Sequence, residues 1–511
     1  MSLPFSRSLP AHPDLAQQKK QSKQLLQAFI AGEVEARARV RAVLPDKKRI
    51  ALADAQFVLA REYGFASWAA LKDHIGERVE TARAPLDRLH DAFRRRDAHA
   101  LRRLLETHAE LRARINDPVF SFNAPAIVCY ANDPAIVDVL LDFGADPNQR
   151  SAWWAGGFHA LYSATGDAAE RLLAAGAIPD ACAAAHLDRL DLLSRMIAAD
   201  PLRVHERGGD GQMPLHFARS RAVVDLLLDA GADIDARDVD HRSTAAEWML
   251  DRTRGAGRYE LARYLVERGA HPDIFLAAAL GLTSRVREML TENPESLDLR
   301  TGQGSYAQQP PSSYHIYTWT IGDGRSPLDV AFQFEHEETL TAMLTFATPL
   351  QRLRLACRRG DDAAAHALVR ENPKLIESMS PEDHRVLSDA AWYGDERAVT
   401  LMLSLGLDPS TPGRDSGTAL HCAAWEGSPE TVAALLRHRD APKLVAIRDS
   451  RYGATPLGWC CHGSLHGNTA HDHATVARLL LDAGARPGAD TEEASPAVKA
   501  VIAARSRSAR R

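Results

Sequence analysis

The stretch HCAAWEG, residues 421–427, puts an imidazole, a thiol, an indole and a carboxylate within seven positions. A His and a Glu this close can divide acid and base roles, and a Trp between them can stack a ligand. Further on, WCCHGSLHGNTAHDH (459–473) adds two cysteines and four histidines, the residue types that hold zinc. Its spacing matches neither paired CxxC sites nor HExxH, so no metal site is expected, and His466, His471 and His473 read as loop residues. No GxSxG, no GxxxxGK[ST] and no GxGxxG after a strand occurs. The aromatic WWAGGFHALY (153–162) lacks phosphate-loop spacing.

Whatever these residues do, something has to hold them. VDVLLDFGADPN (137–148), AERLLAAGAIPD (169–180), VDLLLDAGADIDARD (224–238), ARYLVERGAHPD (262–273) and ARLLLDAGARPG (477–488) share one pattern. Apolar residues at helical spacing lead to a Gly, then to Asp, Pro or Asn, which predicts an amphipathic helix closed by a glycine and a turn. A shorter helical pattern precedes several of them: MPLHFARS (213–220), SPLDVAFQFEHEE (326–338), GTALHCAAWEG (417–427) and ATPLGWCCHGS (454–464). Thr or Ser caps this helix, Pro suits its first turn, and small Ala and Cys residues let neighbouring helices approach.

The TPLHxAAxxG helix, second helix and turn, recurring at a period of roughly 33 residues, resemble the ankyrin repeat. The resemblance runs over about residues 85 to 488 and implies an all-α solenoid of roughly twelve helix-turn-helix repeats, because one such helix pair cannot bury its apolar face alone. DACAAAHLDRLDLLSRMI (180–197) and LRLACRRGDDAAAHALV (353–369) fit the helix pair without its signature. His216 and His421 take the family's His position, which implies inter-repeat hydrogen bonding, while Cys422, Cys460 and Cys461 are packing residues. Glu247 and Gly458 replace that His in their repeats, beside Trp248 and Trp459.

Residues 1–84 are expected to form a helical extension of the kind found on bacterial ankyrin proteins, capping the array's end. Leu52, Ala55, Val58 and Leu59 share one helix face, with a break at Gly64. Repeats then fill 85–300 and 326–488. Between them TGQGSYAQQPPSSYHIYTWTIGDGR (301–325) is too rich in Gly, Gln, Pro and Ser for a helix pair, and a lid is one role for it. Residues 489–511 predict a C-terminal capping helix with a basic tail.

In ankyrin arrays the two residues after the paired small ones project onto the concave face. Reading that row gives Gln333 and Phe334, Arg358 and Arg359, Trp392 and Tyr393, Trp425 and Glu426, then His462. Such a row offers stacking, anion contacts and proton transfer together. The resemblance implies a binding scaffold whose groove, about residues 333–466, recognises a partner protein. The alternative is a hydrolase- or lyase-type enzyme acting on a small polar or sugar-like substrate. Glu426 and His462 would then be acid and base, Trp392, Tyr393 and Trp425 a stacking wall, Arg358 or Arg359 an anion holder, and Tyr314 and Trp319 part of the lid. Neither reading requires a cofactor.

The 511 residues carry a formal charge of −5, with 45% hydrophobic and 25% charged residues. Basic residues are interspersed with acids, which argues against nucleic acid. No apolar run is long enough to span a membrane, no secretory signal opens the chain, and six cysteines make no disulfide framework. A cytoplasmic location is the expectation.

Overall fold

The structure is a computed structural model that describes residues 5–7, 9, 15–82, 85–251 and 256–508. It is all-α, and extended pairing among the described residues is limited to isolated bridges such as Arg237 with Thr244. No helix among these residues is long and apolar enough to cross a membrane. The chain divides into two compact units, Met1–Asp233 and Ile234–Arg511.

The first unit opens with four helices, Leu15–Ala31, Val34–Val43, Leu52–Glu62 and Trp68–Ala82. Ala55, Val58 and Leu59 are buried on the expected face, and Gly64 separates the last two helices. The carboxylate of Glu62, buried beneath these helices, receives two bonds of 2.8 Å from the Arg39 guanidinium, so the charge is paired where it is desolvated. Short helix pairs follow. Ala181–His186 packs on Pro214–Phe217, and behind them Leu190–Ala199 meets Arg221–Asp229. His216 accepts from the Met213 amide at 3.2 Å and so closes its own helix.

The second unit stacks longer pairs. Pro327–Gln333, Pro349–Arg359, Pro381–Trp392, Ala419–Glu426 and Pro456–His466 lie in one layer, with their partner helices behind. Pro496–Ser508 packs on the final pair, with Val498 buried. Pro at the first turn and Ser or Thr before it recur because a helix start has amide protons without intrahelical partners.

Residues 301–325 are irregular, as their composition requires, but they are built into the second unit. Tyr317 is fully buried, and its hydroxyl and that of Tyr306 each donate to Asp273 at 2.8 Å. Asp273 also caps the Ile274–Ala279 helix by accepting from the Leu276 amide. His315 lies buried 3.4 Å from Glu247, and Ser313 bonds to Asp240. These buried ties dock the segment as part of the core, so the lid reading is set aside; Tyr314 and Trp319 are its exposed aromatic residues.

Asp273→Ala removes a helix cap and leaves phenol hydroxyls without their acceptor, and should cost about 2–4 kcal/mol in urea unfolding. Trp319→Ala, at the surface of the same segment, should stay within about 1 kcal/mol of the parent. Equal losses in the two variants would mean that the segment is not anchored through Asp273.

Candidate functional site

Three consecutive first helices, Pro381–Trp392, Ala419–Glu426 and Pro456–His466, pack side by side through small residues. Ala391, Ala423, Ala424, Cys422, Cys460 and Cys461 are all fully buried. Burial pushes the Cys461 thiol up to about 12 and that of Cys460 well above its usual value, so neither is a nucleophile near neutral pH. They are packing residues. That close approach brings the larger residues at the helix ends together.

Trp392 and Trp425 lie nearly parallel, with ring centroids 5.9 Å apart and planes inclined by 16°. Trp459 stands almost at right angles to both, at 6.5 Å from each. Tyr452 meets Trp459 at 6.4 Å, and the His462 ring sits 5.5 Å from Trp425. Together with Asp415, Asp490, Ala454 and Gly458 these rings line a cavity of about 390 Å³. Desolvation and the neighbouring His466 hold the His462 imidazole below its ordinary pKa, so it is neutral near pH 7.

The indole of Trp459 is fixed from below. Its Nε1–H donates to Asp449 Oδ2 at 2.9 Å, and Asp449 also accepts from the amides of Arg451, Tyr452 and Ala454. Burial raises the Asp449 carboxyl, but these donors outweigh it and hold the group below the usual carboxylate range. Residue 417 must be Gly, since a Cβ there would stand 2.7 Å from the indole.

His421 behaves as the repeat implies. Its Nδ1 accepts from the Thr418 amide at 3.1 Å, and its Nε2 lies 3.2 Å from the Ala454 carbonyl of the next repeat, which it serves as donor. Desolvation lowers its pKa to about 4. At the equivalent place in the next repeat Gly458 offers nothing, and Asp490 reaches in instead. Its Oδ2 accepts from the Thr455 amide at 2.9 Å and from Thr455 Oγ1 at 2.7 Å. A Cβ at residue 458 would stand 2.6 Å from that oxygen, so the missing side chain is what admits Asp490. In the Trp248 repeat the same duty falls to Glu247, which accepts from the Thr244 amide at 2.7 Å and lies 3.7 Å from Arg237.

The other residues of the row go elsewhere. Phe334 is buried against Tyr259. Arg358 is held between Asp329, at 2.8 Å, and Asp389, at 3.4 Å, and Arg359 lies over Phe332 and near Glu337. These guanidiniums are engaged within the fold rather than presented to an anion. Tyr393 is half exposed beneath Arg325, and Trp319 packs its edge against His241. Glu426 does not line the cavity that His462 lines; its carboxylate turns to His471 at 3.1 Å. Burial raises the Glu426 pKa, with His471 and His473 opposing.

The loop histidines also differ from expectation. The Pro456–His466 helix extends through His466, and His473 is buried at the start of the next helix. His473 Nε2 lies 2.9 Å from the Trp425 carbonyl and His471 Nδ1 2.8 Å from that of Glu426, capping the end of the preceding repeat's helix. A helix C-terminus has carbonyls to satisfy, and two imidazoles meet that need.

Sequence comparison agrees with this architecture. The family model "Ankyrin repeats (3 copies)" matches residues 387–491, and "Ankyrin repeat" matches 210–239. Human Rabankyrin-5 is 24% identical over 304 residues, 58% of this chain and 24% of the relative. Mouse Ankyrin repeat and SAM domain-containing protein 6 is 31% identical over 121 residues, 23% of this chain and 13% of the relative. The chain thus spans a quarter or less of these relatives. The human ASB11 ankyrin repeat domain aligns at 15% identity over 61% of this chain and all of that domain, with a TM-score of 0.22, too low to carry an argument. The chain therefore carries ankyrin repeats, modules that generally mediate protein–protein interaction.

His421→Ala should cost about 1–3 kcal/mol at pH 7.5, since it leaves the Thr418 amide and the Ala454 carbonyl without their partner. Because the folded pKa lies below the unfolded value of 6.5, the unfolded chain takes up this proton first. Wild-type stability therefore falls as pH drops from about 6.5 to about 4, and the variant lacks that contribution. Urea midpoints across this window should show the gap between the two narrowing; a gap that stays constant would mean His421 is not held neutral.

Proposed function

We propose that the groove formed by the repeats around Trp392, Trp425 and Trp459 recognises a partner protein by seating one of its side chains in the aromatic cavity. The observation that carries this reading is the cavity itself: three indoles and a phenol converge on about 390 Å³, with Trp459 fixed by Asp449. Aromatic side chains are enriched at interface centres because they bury large area at low entropic cost. Tyr452, 62% exposed, stands at the edge of the cavity where a partner would first touch. The volume lies at the lower end of the range for small-molecule sites, and suits one long side chain.

The enzyme alternative gains no such support. It needs Glu426 and His462 to share a substrate, and only His462 lines the cavity. It also needs an anion holder, and Arg358 is already paired with two aspartates. No organic cofactor enters either reading.

Tyr452→Ala should leave the melting temperature within about 2 °C, as an exposed substitution does, while a partner recovered by the wild-type chain in quantitative pull-down falls by about tenfold or more. Arg478→Ala, on a second helix, serves as the control and should recover the partner normally. Equal recovery by Tyr452→Ala and wild type would refute the assignment of this groove.

A further inference from the structure

The chemistry of the cavity walls points to the charge of what they hold. Apart from the Tyr452 phenol, the ionisable groups among the described lining residues are two carboxylates, Asp415 and Asp490, and the neutral His462; no Lys or Arg is among them. Indole faces carry the negative side of the ring quadrupole, and here Trp459 is set perpendicular to the Trp392 and Trp425 pair, so a guest in the corner meets more than one ring. The ring faces favour a positive guest over an anion.

The state of the two carboxylates narrows this further. Asp490 already accepts two bonds from Thr455 and lies 3.7 Å from Arg448, and Asp415 is paired with Arg451. Burial raises the Asp490 carboxyl, yet the Thr455 donors and Arg448 outweigh it and keep the group ionised well into acid. Their arginines offset most of this charge, and Arg451 also lies over the Tyr452 ring, so the acids leave few vacant hydrogen-bond positions and the indole faces carry the attraction. A bare ammonium, compact and strongly hydrated with three donors, would lose its water and gain little in return. A methylated ammonium has few or no N–H donors, is weakly hydrated, and places polarised methyl groups against ring faces.

We infer that the cavity bounded by Trp392, Trp425, Trp459, Tyr452, Asp415 and Asp490 receives an N-methylated lysine side chain of the partner protein. This inference rests on the reading of the groove as a protein-recognition surface and names the chemical group that it selects. The partner's side chain enters past Tyr452, its methylene stem lies along the ring surfaces, and its cationic head stops in the corner made by Trp459. Fixing Trp459 through Asp449 and clearing its space through Gly417 preorganises that corner before the guest arrives.

The test uses the full chain and three capped amino acids, N-acetyl amides of ε-trimethyllysine, of lysine, and of the neutral carbon isostere bearing a tert-butyl head. Binding is followed by tryptophan fluorescence, with the melting temperature of each variant measured alongside. The trimethylated probe should bind about tenfold more tightly than lysine and than the neutral isostere, since shape is shared with the isostere and charge with lysine. Tyr452→Ala and Trp392→Phe should each weaken that binding severalfold while retaining the fold. Equal affinity for all three probes, or preference for lysine or for the neutral head, overturns the inference. Tetramethylammonium or choline bound tightly while the capped trimethyllysine is excluded would assign the cavity to a free small molecule and overturn it as well. If Tyr452→Ala loses the partner but the probes show no preference, the groove reading stands and the methylammonium fails; if partner recovery is also unaffected, both fail.

Discussion

Every first helix in this array faces the same difficulty at its start. The amide of the residue that opens it needs an acceptor, and a side chain three residues into the helix normally provides one. His216 and His421 do so with Nδ1, Glu247 and Asp329 with carboxylates, Gln351 with its amide oxygen and Asp383 with a carboxylate again. The chemistry is interchangeable because the requirement is only an acceptor at that reach. His421 also reaches the next repeat: its second nitrogen serves the Ala454 carbonyl, so one buried imidazole closes a helix and joins neighbours. Stacking, and hence the position of every large residue at the helix ends, follows from such ties.

The repeat of Trp459 breaks the pattern, and the cavity is the consequence. With Gly458 in the acceptor's place, the start of the helix is served in trans by Asp490 from beyond the repeat's second helix. That substitution moves a carboxylate to the wall beside Trp459. It also clears a side chain from the floor. The turn ahead of this helix is ordered by Asp449, which gathers three backbone amides and the indole Nε1–H around one carboxylate. The same arrangement occurs in the Trp248 repeat, where Asp238 accepts from the Trp248 indole at 2.6 Å and from the amides of His241 and Arg242.

Much of this was legible in the sequence, and the limits have identifiable causes. The helix pairs, the His421 tie and the packing cysteines follow from periodicity and from the repeat's own spacing. Trp392, Trp425 and His462 stand in a row that helical geometry alone sets, and all three line the cavity. Asp415, Tyr452 and Asp490 were not found, since they stand in turns whose direction the periodicity does not encode. A signal for part of this existed. RDVDHRSTAAEW (237–248) and RDSRYGATPLGW (448–459) share an RD pair and a Trp at the same separation, which marks the carboxylate-to-indole bond in both repeats. Arg358 and Arg359 misled for the opposite reason. Their positions match the row, but acidic neighbours on adjoining helices, Asp329, Asp389 and Glu337, take up their charge. Position along one helix predicts direction, not partners.

The histidines of 462–473 show how the same residue type divides into structure and surface within one hairpin. His473 and His471 serve the carbonyls left open where the Ala419–Glu426 helix ends, and the buried His473 ring fills the space beside Gly427 and Gly463. His336 plays the same part in its own repeat, with Nε2 2.9 Å from the Ala279 carbonyl and its ring against Gly281. A histidine at the start of a second helix therefore fastens the end of the preceding repeat's first helix, which is the end that carries Trp425 and Glu426. His462 instead lies against Trp425 on the cavity side and is kept neutral by burial and by His466. His473 fixes the end of the helix that carries Trp425, and Asp449 fixes the Trp459 indole itself. The cavity keeps its shape because its rings brace one another and because Trp459 is also held from outside the cluster, by the Asp449 carboxylate.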